Sequence, residues 1–511
     1  MGFEAVLRRS AAYYASNVAV TYQGRHATYA ELFERSCRMA NAIADRGLQP
    51  GDRVAVLGAN AAETVEQIAG IALGGFTRAA LYAHNSAETN AYLADLVDAR
   101  LLIVEESLAE GTLALRDEMP QLEHVIVFGG AGSEYEEALA AASPEDPHVT
   151  TAPGDLHVIR FSAGTTGKPK GIVHTNERWS RAMDEYRWCT PQIDERDAYL
   201  AAAPLTHAAV LFLWQFLKVG ARIVVEPAFE AGRFLDVIES ERPTYTLMVP
   251  TMIQALVNHP DAARRDLSSL RCVNYAASPV TETTMVKAKQ LLGEDVLFQM
   301  YGQSELWPIT MLFPHEHDGR RARSVGRPSP STVVAIVDEA GNPLPPGEVG
   351  EIAARHDGLM AGLWKDEDGS AERTLPDGSL LTRDMGFMDE DGYVFLTDRK
   401  EDLIISGGYN IWPAELENAV ASHPAVAEVC VFGVPDERWG ETPLAQVVLR
   451  PGATAEESEI VAHTRELLGS VKKVTRVEFV DELPKSGVGK VLRRVAREPY
   501  WRGQAVKVSG A

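Results

Sequence analysis

Short apolar runs alternate with helical stretches through the first half of the chain, and this alternation constrains the fold more than any single motif. Residues 18–22 read as a strand, and Thr28 with Glu31 forms a capping box opening a helix that carries Leu32, Met39 and Ile43 and ends near Gly47. Pro50-Gly51-Asp52 turns the chain into a strand over 54–57, a helical stretch follows from about Ala61, and 101–104 and 125–128 are again strand-like. Strands separated by helices have the length for crossovers rather than hairpins, so a mostly parallel, helix-covered sheet is expected. A second half-sheet is expected from 199–204, 222–226, 245–249, 272–276 and 296–300, with helical segments between them, one over 208–219. Residues 324–354 turn to short alternating strands, the pattern of a small β-subdomain. Residues 129–154 are polar and acidic and read as a mobile connector leading to a strand over 156–161.

That strand delivers Ser162-Ala163-Gly164-Thr165-Thr166-Gly167-Lys168-Pro169-Lys170-Gly171. Glycines let a backbone approach an anion, hydroxyls and N–H groups donate to phosphate oxygens, and lysines neutralise charge. Ligands of open α/β sheets bind beyond the carboxyl ends of the strands, which is where this loop falls. It is not a Walker loop, because Pro169 stands where that motif has Ser or Thr after its lysine. Tyr301-Gly302-Gln303-Ser304-Glu305 also follows a strand. Its Tyr ring can stack on adenine, Ser304 can donate to phosphate, and Glu305 can hold a magnesium ion. Asp384, in Thr382-Arg383-Asp384, is a carboxylate suited to ribose hydroxyls.

A formal charge of −23 over 511 residues argues against nucleic acid or an anionic membrane as the main partner, so a site for a polyphosphate would have to gather positive charge locally. Cys37, Cys189, Cys272 and Cys430 are too scattered for a disulfide framework or a zinc site, and buried free thiols are expected. No apolar run is long enough to span a bilayer and no signal-peptide pattern opens the chain, so the expected location is cytoplasmic. His315-Glu316-His317-Asp318 reads as a charged loop rather than a metal site.

Four stretches, taken in order, resemble the signatures of the adenylate-forming superfamily, which includes acyl- and aryl-CoA ligases, stand-alone adenylation enzymes and luciferases. They are Ser162 to Gly171, Tyr301 to Glu305, Thr382-Arg383-Asp384 through Glu417, and Pro484-Lys485-Ser486-Gly487-Val488-Gly489-Lys490. The resemblance implies an α/β protein with a large N-terminal adenylation domain over 1–398, built of helix-covered mostly parallel sheets plus the small β-subdomain. It implies a hinge over 399–401, with Glu401 at its centre of motion, and a small mobile α+β C-terminal domain over 402–511. ATP and Mg2+ are the implied cofactors. The ATP- or AMP-binding residues would be Ser162, Ala163, Gly164, Thr165, Thr166, Gly167, Lys168, Ala277, Ser278, Pro279, Tyr301, Gly302, Gln303, Ser304, Asp384 and Arg399. Lys490, Glu305, Thr165 and Lys170 would carry catalysis, Glu305 by holding the metal and Lys490 by reaching the active site during adenylation. The acyl pocket would have His207 at its mouth and Leu211, Trp214, Ala276, Met300, Trp307 and Pro308 in its walls, and Ser406, Gly407 and Gly408 would line a pantetheine tunnel.

Three departures from the family pattern stand out: Ala163 where relatives often have Ser or Thr, Ala276-Ala277 where they have a glycine-rich turn, and Glu401 where they tend to have Asp or Lys. His207 stands where relatives that use α-amino acids place an Asp against the substrate ammonium, so the expected substrate is a non-amino carboxylic acid, aromatic or aliphatic. The acceptor is coenzyme A, with Lys472, Lys473 and Arg476 as candidate contacts, or else the phosphopantetheine of an acyl carrier protein or another nucleophile such as an amine. A second copy of the chain is a further partner left open. The adjoining Arg493 and Arg494 read as solvated.

Overall fold

The computed structural model describes residues 2–130, 133–161, 169–276, 280, 282–399, 402–406, 409–436, 438–469, 472–485 and 491–502. The expected sites at 162–168, 277–279, Glu401, Gly407, Gly408 and Lys490 lie outside the described residues. The chain divides into two compact units, Met1–Val334 with Ala354–Leu380, and Ala335–Ala353 with Leu381–Ala511.

The larger unit holds two sheets. The first runs in the order Gly362–Leu363, Gly171–Thr175, Leu156–Phe161, Thr77–Ala80, Arg53–Leu57, Leu101–Glu105 and His124–Phe128. Its pairings are parallel from Leu156–Phe161 outward to His124–Phe128, while Leu156–Phe161 and Gly171–Thr175 are antiparallel with Phe161 opposite Gly171. The second sheet has nine strands, parallel from Val18–Tyr22 through Arg222–Val225, Ala198–Ala201, Tyr245–Met248 and Cys272–Tyr275 to Leu297–Tyr301, with antiparallel strands at both edges. One core joins both sheets, with Val158 of the first packed in the same cluster as Val20, Tyr199 and Val273 of the second and with Phe3, Trp179, Trp214 and Trp307. Continuous apolar strands such as Leu101–Glu105 are what a sheet covered on both faces requires.

The expected capping box is present: Thr28 Oγ1 accepts from Glu31 N–H, and Thr28 N–H donates to Glu31 Oε2 at 2.7 Å. All four cysteines are buried and free. The connector over 129–154 departs from expectation, since Glu134–Ala141 is a helix. Tyr135 and Leu139, four apart on one helical face, are fully buried, and the Tyr135 hydroxyl donates to Glu66. The acidic residues around them conceal that two-residue stripe. The rest of the connector is tied down by Asn41 to the carbonyls of Ser143 and Glu145, by an Arg8–Asp146 ion pair at 2.7 Å, and by Thr151 donating to Glu4.

The smaller unit opens with a sheet ordered Val333–Val337, Gly350–Arg355, Leu380–Met388 and Val394–Arg399. Its C-terminal part pairs the long strands Val426–Asp436 and Gly440–Leu449, adds Ile404–Ser406 and Tyr409–Ile411 at one edge and Arg476–Phe479 in parallel, and packs Pro413–Ala421 and Glu457–Leu468 over a core of Ile404, Leu416, Val431 and Ile460. Pro413 opens its helix at the first turn, where a missing N–H costs nothing. Arg493 is not solvated: it holds Asp402 at 2.6 Å and Glu417 at 2.9 Å. Among the described residues no helix is long and apolar enough to cross a membrane.

His174, fully buried in Gly171–Thr175, ties the first sheet to the turn at 301–305. Its Nε2 lies 2.8 Å from the Ser304 carbonyl and must carry the proton, because a carbonyl only accepts, while its Nδ1 is buried with no partner. Burial, with the charges of Arg160 and Arg178, lowers its pKa to about 3 against the hydrogen bond to Ser304, which raises it. The folded protein therefore keeps this ring neutral where the unfolded chain, at 6.5, takes up a proton. The resulting stability is complete above pH ~6.5 and drains away as pH falls toward ~3. His174→Gln keeps a donor for Ser304 and removes the titration. Between pH 7 and pH 5 the variant should lose about 2 kcal/mol less than the wild type in urea unfolding; equal losses would show that His174 titrates as it does in the unfolded chain.

Candidate active site

The turn after Leu297–Tyr301 is held from several sides. Gln303 N–H donates to Leu306 O at 2.8 Å, Ile309 N–H to Tyr301 O at 2.8 Å, and Met360 N–H to Glu305 O at 2.7 Å. Arg178 in turn fixes the carbonyls of Leu359 and Met360. A Cβ on Gly302 would meet Trp307 Cβ at 2.9 Å and Leu306 O at 3.1 Å, so only glycine lets the backbone double back this closely.

The result is a carboxylate presented almost without solvent, with Glu305 7% exposed and ion-paired through Oε1 to Arg373, whose second nitrogen reaches Gln303 Oε1 at 3.3 Å. Arg373 lies on no sequence motif and was not anticipated; a lone Arg after the short helix Glu367–Ala371 gives no signal of its own. One carboxylate flanked by the Gln303 amide fits magnesium, which commonly takes one or two protein carboxylates and completes its shell with phosphate oxygens and water. Glu316 and His317, in contrast, are occupied locally: Glu316 pairs with Arg327, and His317 bonds the Tyr275 hydroxyl and the Phe313 carbonyl, both at 2.8 Å.

Of the residues expected at the acyl pocket, Leu211, Trp214, Ala276, Met300, Trp307 and Pro308 are all buried, and His207 is half-buried. Met300 sulfur accepts from the Tyr186 hydroxyl, and Tyr186 and Trp179 flank Trp307 with ring centroids 5.7 and 5.2 Å away. Trp214, on the helix Val210–Lys218, packs on Phe3 at 4.7 Å and His157 at 5.9 Å, and His157 leads back to Trp179 at 5.7 Å. Trp214, Met300 and Trp307 thus belong to one aromatic assembly whose connecting members, His157, Trp179 and Tyr186, the motifs did not pick out. His207 lies against the Tyr82 ring at 4.1 Å, and burial, with the charge of Arg160, lowers its pKa to about 3.

Lys170 is half-exposed and pairs with Asp366 at 2.6 Å. In the smaller unit, Asp384 and Arg399 face each other as direct strand partners. Asp384 N–H donates to Thr382 Oγ1, which itself donates to Ile352 O at 2.8 Å, while Arg383 adopts φ 63° with its N–H on Glu351. Ser406 stands opposite Gly440. Of the candidate coenzyme contacts, Lys472 pairs with Glu415 at 2.9 Å and Arg476 with Glu478 at 3.0 Å.

The parallel strand Leu297–Tyr301 leads into this buried, cation-held carboxylate, the end of the strand beyond which open α/β sheets bind their ligands. Residues 7–364 match the AMP-binding enzyme family and residues 415–490 the AMP-binding enzyme C-terminal domain. The chain belongs to that family of ATP-dependent, AMP-forming ligases. It is 35% identical over 498 residues to a medium/long-chain fatty-acid–CoA ligase of Mycobacterium tuberculosis, covering 93% of this chain and 86% of that protein. It is 36% identical over 493 residues to a feruloyl-CoA synthase of an Amycolatopsis species, covering 94% and 96%. Among solved structures it resembles the amide bond synthetase of Marinactinospora thermotolerans, with a TM-score of 0.86 and 31% identity over 98% of this chain and 100% of that one.

Removing one partner of a buried ion pair leaves the other charge uncompensated. Arg373→Met should lower the unfolding free energy of the larger unit by about 3 kcal/mol in urea, and adding Glu305→Gln should restore about half of that loss or more. Additive losses would show that the two side chains do not interact.

Proposed function

We propose that this enzyme activates an aromatic or aliphatic carboxylic acid lacking an ammonium group and transfers the acyl group to coenzyme A. The charge around His207 carries this reading. Its imidazole is neutral, the nearby Arg160 is cationic, and a substrate ammonium there would be repelled where a carboxylate is attracted.

The carboxylate attacks the α-phosphate of ATP, pyrophosphate leaves, and an acyl-adenylate remains. Two anions must be brought together, so the chain's task is positioning and neutralisation. In this reading the loop from Ser162 to Lys170 cradles the phosphates, Tyr301 stacks on adenine, Asp384 accepts the ribose hydroxyls with Arg399 beside it, and Lys490 adds charge at the reacting phosphate. Glu305, with the Gln303 amide, would hold magnesium, which would supply further neutralisation when bound, while Arg373 holds Oε1 of that carboxylate in place. Rotation about Glu401, between a domain ending at 398 and one beginning at 402, then withdraws Lys490 and presents Ser406, Gly407 and Gly408 to the pantetheine arm. Two adjacent glycines leave that passage unobstructed.

A second reading is transfer to an amine, which draws support from the likeness to an amide bond synthetase, or to a carrier-protein thiol, which draws support from 32% identity to a fatty acid–acyl-carrier-protein ligase of Streptomyces coeruleorubidus. Acid-dependent pyrophosphate release, measured over aryl, aliphatic and amino acids with and without coenzyme A, separates them. Turnover that rises with coenzyme A and yields a thioester is expected; adenylate formation indifferent to coenzyme A would favour the second reading. Lys490→Ala should reduce adenylate formation by at least about a hundredfold and spare thioester formation from supplied acyl-adenylate. Equal loss of both half-reactions would contradict the rotation.

A further inference from the structure

We propose that the acid this enzyme activates carries a second carboxylate, bound in the interior of the larger unit by Arg78 and Arg160. The inference rests on the ligase reading above and names its substrate class. Arg78, in Thr77–Ala80, is 5% exposed and Arg160, in Leu156–Phe161, is 6% exposed, each in a strand that is buried along most of its length. Such positions are almost never given to an arginine without an anion to meet it. Arg78 is the direct parallel partner of Val158, so the two share a face of the sheet, and Arg160 follows two residues along on that face. Val158 packs in the core with Trp179, Trp214 and Trp307, and the Arg160 guanidinium lies 5.8 Å from the Trp179 ring centre.

Among the described residues neither guanidinium has a hydrogen-bond acceptor or an ion-pair partner. Glu305 is the carboxylate in electrostatic reach of Arg160, and Arg373 already holds it. The surroundings add donors: the indole N–H groups of Trp179, Trp214 and Trp307 are buried without an acceptor. Burial lowers the pKa values of Arg78 to about 9 and Arg160 to about 10, with Arg160's charge also acting on Arg78, yet both stay protonated at neutral pH. Two uncompensated cations and a set of unmet donors define a site for an acceptor-rich anion.

The reacting carboxylate alone does not satisfy it. On adenylation that group becomes part of a mixed anhydride, and the one negative charge left beside it is on the phosphoryl group, so two buried cations would face a single counter-charge in the intermediate. A second carboxylate keeps its charge throughout. The two arginines are also graded in depth. Arg160 stands next to the carboxyl end of its strand, and Arg78 lies roughly 7 Å further in, by the rise of two strand residues. An acid lying along that line would offer one carboxylate to the nucleotide and place the other between Arg160 and Arg78, with an apolar or aromatic spacer among the tryptophans.

The test compares matched pairs: hexanoate with hexanedioate, octanoate with octanedioate, and benzoate with benzene-1,4-dicarboxylate. Binding is read by calorimetry and thermal shift without ATP, and turnover by pyrophosphate release with ATP. At least one dicarboxylate should bind the wild type at least about tenfold more tightly than its monocarboxylate partner. Arg78→Met and Arg160→Met should shrink that preference by about tenfold, through KM rather than kcat. Replacing a buried arginine by an apolar residue of similar length is tolerated or stabilising in many cores, and the wild-type comparison needs no variant. No tighter binding by any dicarboxylate overturns the proposal, as does a loss in the variants that is equal for both members of a pair, which would assign the arginines to the reacting carboxylate. If monocarboxylates alone turn over, the proposal falls and the ligase reading stands. If dicarboxylates bind but no acid releases pyrophosphate, the arginine site stands and the ligase reading falls.

Discussion

Glu305 is the buried carboxylate around which the local structure of the larger unit is arranged, and several contacts keep it where it is. A carboxylate taken out of water is tolerated only with a partner. Arg373 supplies the charge, Met360 fixes the backbone oxygen, and His174 fixes the carbonyl of Ser304 one residue earlier. Each support comes from a different part of the chain, so the position of Glu305 registers the packing of the whole first sheet against the end of the second. That is the rigid setting a side chain proposed to hold a metal requires.

The charge layout follows the same economy. The chain is strongly acidic overall, and surface arginines are mostly matched by neighbours, as with Arg100 between Asp52 and Glu123 or Arg265 between Asp236 and Glu239. Buried carboxylates are matched in the same way, Glu316 by Arg327, Glu226 by Arg233 and Glu305 by Arg373. Arg78 and Arg160 differ: among the described residues neither has an ion-pair partner, and the low dielectric around them makes each charge far-reaching.

Much of the architecture is legible in the sequence because it rests on local rules. The capping box at Thr28 and Glu31, the proline-led helix Pro413–Ala421 and the strand Leu156–Phe161 are set by residues next to one another in the chain. Glu305 is legible through its motif. Arg373 is not, because its meaning depends on a partner 68 residues away, and nothing in Ser370-Ala371-Glu372-Arg373 forecasts that meeting. The helix Glu134–Ala141 was missed for a related reason: its apolar face is two residues wide and is completed by Glu66 and Phe128 from elsewhere. Arg78 and Arg160 did leave a trace, a charge in the middle of an apolar strand, but only the register between their strands shows that the two share a face.

The choice of residue types in that interior is itself informative. A buried lysine or histidine can escape the cost of burial by releasing its proton, and His157, His174 and His207 all do so, with pKa values pushed well below the ordinary range by burial first and neighbouring cations second. Arginine has no such escape near neutral pH. The positive charge on this face of the first sheet is therefore carried by groups that cannot shed it, while His157, His174 and His207 near them are neutral. An anion site built this way holds its affinity across the pH range in which a histidine-based site would switch off, and its strength is set by desolvation and geometry rather than by protonation. It also explains why the histidines are tolerated so near two cations: as neutral rings they pack like aromatic residues, Phe3 against His157 at 4.0 Å and Tyr82 against His207 at 4.1 Å, and add no repulsion.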